Sequence, residues 1–183
     1  MEPRRRDVWT AYLAIEVENT WSNFVRALYV SMADGVRLED GGFTTLTPRR
    51  TMNDAIGFAV QRWRAKAAPK ADGSWHRREE PAWHDTSTML TLCRDLHATN
   101  LADVEAAFSS GTLVFTDLVV FRNYFAHRNQ GTKQAARDLA PRYGIAATLT
   151  PAEILLSRAL GRPEPVLIEW IDDLIFTAEY LCH

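Results

Sequence analysis

One segment, residues 111–132, most constrains what this chain can fold into. It reads GTLVFTDLVVFRNYFAHRNQGT, and its first two thirds are apolar on almost every side at helical spacing. A helix with so little polar surface is expected to be buried all round. The sequence therefore predicts a buried helix here, either at the centre of the chain's own core or shared between that core and a partner subunit. Gly131 is predicted to end it.

The rest of the chain predicts further helices, because apolar residues recur at spacings of three and four. These helices are expected over residues 7–33 and 48–67, from a cap at Asp85 or Thr86 to Leu96, from a cap at Asn100 to Phe108, and over residues 133–139, 151–160 and 166–181. Thr47 is predicted to cap the second, and Thr150 with Glu153 has the pattern of a capping box. Alternating residues on either side of a glycine-rich turn predict a small β-hairpin over residues 36–46. The fold class is therefore all-α, a helical bundle with one hairpin, in a single domain over residues 1–183.

Composition narrows the compartment and the chemistry. The net charge of −2 argues against a protein that coats nucleic acid without specificity. No apolar run is long enough for a membrane span, and no secretory signal is expected. Cys93 and Cys182 sit among apolar neighbours and are predicted to be buried thiols in a reducing compartment, so we expect a cytoplasmic protein with no membrane partner. No pattern of metal ligands, phosphate-binding loop or nucleophile elbow is found in the sequence, and no metal or cofactor is expected.

A polar cluster stands at the end of the apolar segment. Asn123 and His127 are one helical turn apart and share a face, and Arg122 lies about 100° around the helix from Asn123. Because the arginine side chain is long, all three can reach one small volume. With no acid in it, this cluster is expected to suit a phosphate rather than a metal. Arg128 and Asn129 follow directly and are the predicted substrate-binding residues.

The run Arg122-Asn123-Tyr124-Phe125-Ala126-His127, on a late apolar helix of an all-α domain, resembles the motif of the HEPN superfamily. Active members of that family are metal-independent ribonucleases found in toxin–antitoxin pairs, phage defence and CRISPR effectors. The resemblance covers the motif closely and the helical architecture loosely. It implies a homodimer in which the two motif helices meet, so that one cleft contains two copies of Arg122 and His127.

The resemblance also implies a reaction and its participants. RNA is cleaved when its 2′-hydroxyl attacks the adjacent phosphorus, which leaves a 2′,3′-cyclic phosphate and a 5′-hydroxyl. Arg122, Asn123 and His127 would be catalytic: histidine moves protons, arginine stabilises charge on phosphate oxygens, and asparagine orients the histidine or binds phosphate. The chain would act as a toxin or defence effector, with a possible antitoxin. Asn129 stands where many such toxins have a tyrosine that their nucleotidyltransferase-type antitoxin modifies, so that form of control is not expected.

Two other interpretations remain open at the level of sequence. The chain can be a non-catalytic HEPN-like module that binds RNA or a protein, or an unrelated helical interaction protein. In the latter, Arg122 caps a helix end and His127 makes a structural hydrogen bond at an interface. In the long polar loop over residues 68–84, Trp75 and Trp83 are predicted to pack on the core, with base stacking as the alternative.

Overall fold

A computed structural model describes the backbone of residues 3–183 and the side chains from residue 5 onward. Helices account for 63% of the chain, which confirms the predicted all-α class. The elements, in order, are α1 (Pro3–Asp34), β1 (Val36–Arg37), β2 (Phe43–Thr44), α2 (Met52–Trp63), α3 (Thr86–Asp95), α4 (Leu101–Phe108), α5 (Val114–His127), α6 (Gln130–Asp138), α7 (Pro151–Leu156) and α8 (Val166–Cys182). Short 3₁₀ turns occur at Arg77–Glu79 and Ala140–Tyr143.

The predicted hairpin is confirmed. Strands β1 and β2 pair antiparallel, with Val36 opposite Thr44 and Arg37 opposite Phe43. Gly35 connects α1 to β1 at a φ of +91°, a conformation that glycine adopts without strain. A Cβ atom at Gly35 would lie 2.3 Å from the Phe43 ring, so the tight turn also requires a residue without a side chain here.

The predicted start of the second helix is wrong. Helix α2 begins at Met52, where the Thr51 hydroxyl accepts a hydrogen bond from the Asp54 amide. The preceding segment is extended because its amides bind elsewhere: Leu46 N–H donates to Met32 and Thr47 N–H donates to Leu96. The helix also ends at Trp63, earlier than predicted, and both Met52 and Trp63 are exposed rather than part of a buried stripe.

Helix α7 confirms one local prediction and corrects another. Thr150 and Glu153 form the predicted capping box, with each side chain bonded to the other residue's backbone amide. The helix nevertheless ends at Leu156 and not at residue 160. Ser157 takes an extended conformation, and Arg158 forms an isolated antiparallel bridge with Pro165.

The chain divides into two compact units. The first comprises the residues up to Trp21 together with Thr112–Phe176, and the second comprises Ser22–Gly111 with Thr177–His183. In the first unit, the Trp170 ring packs against Phe121 and Tyr143, with centroid distances of 5.6 and 5.9 Å. In the second, the Tyr29 hydroxyl donates to the Ala55 carbonyl at 2.9 Å. The prediction of a single domain stays a prediction.

The cysteine prediction holds in part. Cys93 is buried, and its burial raises the pKa of the thiol to about 12. Cys182 is only half-buried, because it lies near the end of α8, although its pKa is also raised by partial burial. None of the described helices is both long enough and apolar enough to cross a membrane.

Candidate functional site

Helix α5 is buried along one face only. Its apolar composition predicted burial on all sides, and that prediction is wrong. The buried face consists of Val114, Asp117, Leu118, Phe121 and Phe125. The opposite side includes half-buried Val119, Val120 and Asn123 and the exposed residues Thr116 and His127. Apolar composition could not separate burial in the chain's core from a face left partly open. The motif residues lie on or beside this partly open face.

Arg122 and Asn123 are in direct contact on this helix. Arg122 Nη1 donates to Asn123 Oδ1 at 3.3 Å. The arginine side chain remains 36% exposed, so part of the guanidinium can still meet a ligand. Because α5 is helical through His127, Asn123 and His127 are one turn apart on one face, as predicted.

An acid lies within the cluster, which corrects the prediction that none is present. Glu18 Oε2 lies 3.4 Å from Arg122 Nε, and the Glu18 side chain is only 6% exposed. This nitrogen is buried and makes no hydrogen bond of good geometry with the described residues, so the contact is an ion pair. The pair holds the guanidinium against α1 by charge and leaves its other nitrogens to make further contacts.

Glu18 is a partner of Arg122 that no local sequence motif indicates. It occupies a position in the buried stripe of α1 between Ala14 and Trp21, where an apolar residue is the rule. An acid at such a position signals a buried cationic partner. The rings of Trp21 and Phe115 lie 5.5 Å apart, which is a second contact between α1 and α5 besides that of Glu18 with Arg122.

His127 is the last residue of α5, and its side chain is exposed. Within the described part of the chain, no hydrogen bond or ion pair of its imidazole is seen. An exposed imidazole at a helix end is free to meet a ligand.

The two residues after His127 shape the helix end. Arg128 has a φ of +44°, and its amide donates to the Tyr124 carbonyl at 2.7 Å, so α5 ends here. Asn129 Oδ1 then accepts from the Thr132 amide at 2.9 Å and caps α6. The prediction that Gly131 ends the helix is therefore wrong: Gly131 lies inside α6.

Both predicted substrate-binding residues have internal contacts. Arg128 Nη1 donates to Asp7 Oδ2 at 2.8 Å, and its guanidinium lies over the Phe125 ring. The Asn129 oxygen is used by its cap, which leaves the amide nitrogen for a ligand. Whether either residue binds a substrate stays a prediction.

The left-handed conformation of Arg128 leads to a stability prediction. Arg128→Gly and Arg128→Ala both remove the Asp7 ion pair, but only glycine adopts a φ of +44° without strain. The glycine variant is expected to have the larger free energy of unfolding, by about 1 kcal/mol. Urea denaturation followed by circular dichroism measures the difference. An alanine variant as stable as the glycine variant would contradict the left-handed conformation.

A buried acid anchors the first half of α5. Asp117 is 1% exposed and accepts hydrogen bonds from Arg142 at 2.7 Å and from the Tyr143 hydroxyl at 2.8 Å. Burial and the nearby Asp117 carboxylate raise the pKa of the Tyr143 hydroxyl, so it stays a proton donor. These bonds tie α5 to the 3₁₀ turn at Ala140–Tyr143 and so fix the helix that carries the motif.

Comparison of the chain with protein-family models, curated proteins and solved structures finds no match. Over the residues that the structure describes, no three His, Cys, Asp or Glu side chains are grouped as a metal site requires.

Proposed function

We propose that this chain is a metal-independent endoribonuclease whose catalytic residues are Arg122, Asn123 and His127. The observation that carries the proposal is the arrangement on α5: Arg122 contacts Asn123, and His127 stands exposed one turn further on the same face. Arginine, asparagine and histidine side chains, partly open to solvent, suit a phosphodiester. The resemblance of this run to the HEPN motif points to the same chemistry.

In the proposed reaction, the 2′-oxygen of RNA forms a bond to phosphorus while the bond from phosphorus to the 5′-oxygen breaks. The 2′-hydroxyl loses its proton and the 5′-oxygen gains one, and imidazole is suited to either transfer. Arg122 stabilises the charge that builds on the phosphoryl oxygens. Asn123 binds a phosphate oxygen or orients His127. The nucleophile is the 2′-hydroxyl of the substrate, so the protein has to supply only proton transfer and stabilisation of the charge on the phosphoryl oxygens.

We further propose that two copies of the chain form the complete site. The partly open face of α5, with Val119 and Val120 beside Asn123 and His127, offers a partner helix an apolar surface next to the motif. Two copies would place two imidazoles near one phosphodiester, one to accept a proton and one to donate it. A cytoplasmic toxin or defence effector, held in check by an antitoxin, is the role that we propose for such an enzyme.

A single RNA experiment tests the reaction. The purified chain is incubated in EDTA with a labelled RNA and with the same RNA carrying one 2′-deoxy nucleotide. We expect cleavage of the first, with 2′,3′-cyclic phosphate ends, and no cleavage at the substituted nucleotide. Loss of cleavage in EDTA, or equal cleavage at the deoxy position, would refute the mechanism. Binding of RNA without any cleavage would favour the alternative of a non-catalytic HEPN-like module.

The oligomeric state is tested by size-exclusion chromatography with light scattering at micromolar concentration. A dimer is expected, and its mass should fall to that of one chain when Val120 is replaced by aspartate. A parent protein that is monomeric and still cleaves RNA would rule out the composite site.

Glu18 is proposed as a positioning residue, because it contacts Arg122 and not the substrate. Glu18→Gln keeps the size of the side chain but removes the ion pair at 3.4 Å. We expect kcat to fall by about tenfold with KM little changed, since a misplaced guanidinium affects the transition state more than binding. The matched control is Glu16→Gln, an exposed acid on the same helix. Equal kinetics for the Glu18 variant and the parent would remove Glu18 from the site.

A further inference from the structure

A second candidate site lies in the second unit, beside the first turn of α2. A cleft of about 750 Å³ opens there between α2, the residues that precede it and the loop that contains Trp75. Clefts of this size hold small organic ligands and cofactors. Every residue that lines it belongs to the second unit, whereas Arg122 and His127 belong to the first.

One wall of the cleft is cationic. Arg49 and Arg50 both line it, and the Arg50 guanidinium lies over the Phe58 ring with its carbon 5.3 Å from the ring centroid. The Arg50 amide donates to the Ala33 carbonyl at 3.1 Å, which fixes the backbone at this point. A guanidinium stacked on a ring keeps its edge free for a planar or tetrahedral oxyanion.

A second observation concerns the Arg50 Nε atom. It is buried, and among the described residues it has no hydrogen-bond partner. A buried donor without an acceptor is unfavourable and calls for an explanation. Because Nε itself is closed to solvent, a phosphate in the cleft would bind the outer guanidinium nitrogens of Arg50, through the paired hydrogen bonds that arginine makes to phosphate oxygens.

Another part of the lining is aromatic. Trp75 is half-buried and lines the cleft, whereas Trp83 in the same loop is 3% exposed and packs in the core as predicted. The indole lies directly on α2, because a Cβ atom at Gly57 would stand 2.7 Å from Trp75 Nε1. Glycine weakens a helix, so its presence at this point of α2 is explained by the contact. Asn53 holds the loop through a 2.9 Å hydrogen bond to the Gly73 carbonyl.

Acidic groups refine the choice of ligand. Asp34 and Asp54 also line the cleft, and the Asp54 carboxylate accepts a 2.7 Å hydrogen bond from the Thr51 hydroxyl. Two carboxylates beside two arginines disfavour a highly charged polyphosphate. They favour a ligand that carries one phosphate, an aromatic ring, and hydroxyl or amino groups that can donate to a carboxylate.

We propose that this cleft binds a nucleoside monophosphate, with the phosphate on Arg49 and Arg50 and the base against Trp75. The same chemistry is offered by a free nucleotide and by the 5′-phosphorylated end of an RNA strand. In both cases the sugar hydroxyls or the base amino groups face Asp34 and Asp54.

The full chain is tested by isothermal titration calorimetry against AMP and GMP, with adenosine and inorganic phosphate as partial ligands. We expect at least one nucleotide to bind at least tenfold more tightly than either partial ligand. Arg50→Gln and Trp75→Ala should each weaken binding at least tenfold. Arg64→Gln, a change at an exposed arginine at the other end of α2, should leave binding unchanged.

A further variant tests the geometry of the aromatic wall. Gly57→Ala keeps both arginines and both carboxylates but displaces the Trp75 indole, so it should weaken binding of AMP and leave binding of inorganic phosphate unaffected. Circular dichroism shows whether each variant is folded. If Arg50→Gln is unfolded, Arg49→Gln and Trp75→Phe replace it, and each is expected to weaken binding.

The source of the nucleotide is decided with 2′-O-methyl RNA, which lacks the nucleophile for cleavage. Tighter binding of a 5′-phosphorylated oligomer than of its 5′-hydroxyl form supports an RNA end, and preference for AMP supports a free nucleotide. The proposal is overturned if no nucleotide binds at millimolar concentration, or if adenosine or phosphate alone binds as tightly as AMP. Failure of RNA cleavage in the earlier experiment leaves this result unaffected.

Discussion

Replacing His127 with alanine is expected to lower the rate of RNA cleavage by about 10²- to 10⁴-fold, the usual contribution of a positioned proton-transfer group. Replacing Arg122 with alanine is expected to lower it by about 10²- to 10³-fold, as for loss of one donor to a charged transition state. His127 is exposed and at the end of α5, so its replacement should leave the fold intact. Single-turnover cleavage of a labelled RNA in EDTA measures both rates.

Matched controls separate the site from a general effect of charge. His183→Ala and Arg162→Ala remove an exposed histidine and an exposed arginine outside the motif, with side chains 61% and 66% exposed. Both controls should cleave at the parent rate. If the Arg122 and His127 variants also cleave at the parent rate, the activity belongs to another site or to a contaminating nuclease, and the proposed assignment is wrong.

Arg122 needs one further comparison because it also has a structural partner. Alanine at this position removes the charge opposite the nearly buried Glu18, so it should lower stability as well as activity. Arg122→Lys retains a charge for Glu18 but loses the planar fork that binds two phosphate oxygens. A lysine variant that is stable yet slow by at least tenfold would separate the catalytic part from the structural one.

The local features of the chain were predictable from sequence because they depend on a few adjacent residues. The capping box at Thr150 needs only Glu153 three residues later. The helical spacing of Asn123 and His127 likewise follows from one helix. By contrast, the start of α2 is not predictable from adjacent residues, because the Thr47 amide donates to the carbonyl of Leu96, a partner distant in sequence. The local preference of Thr47-Pro48 for a helix start is outweighed by a long-range hydrogen bond.

The candidate site also has a part that is predictable from sequence and a part that depends on contacts between distant residues. The motif on α5 lies in one run of residues and is predictable from sequence, whereas Glu18 belongs to α1 and meets Arg122 only through the tertiary fold. The end of α5 at Arg128 is not predictable from sequence either, because arginine rarely adopts a left-handed conformation and the nearby Gly131 is a more usual residue at a helix end. In this left-handed conformation the Arg128 amide donates to the Tyr124 carbonyl and the Arg128 guanidinium pairs with Asp7.

Replacing Asp117 with alanine is expected to give the largest loss of stability among single polar changes near the site. The change removes three side-chain hydrogen bonds to the carboxylate, from Arg142, Tyr143 and Thr116, and leaves the buried Tyr143 hydroxyl without its acceptor. Part of this loss is offset because a buried carboxylate no longer has to be desolvated. We therefore expect the free energy of unfolding to fall by about 2–4 kcal/mol, measured by urea denaturation.

The cause of that loss can be tested with a double variant. If an unsatisfied Tyr143 hydroxyl contributes, then Asp117→Ala combined with Tyr143→Phe should be more stable than the two single losses added together. Asp172→Ala, which removes an exposed acid on α8, is the matched control and should change stability by less than about 0.5 kcal/mol. Additive losses would mean that Asp117 acts mainly through Arg142. Because Asp117 lies on the helix that carries Arg122 and His127, the single variant should also lower the temperature at which RNA cleavage is lost.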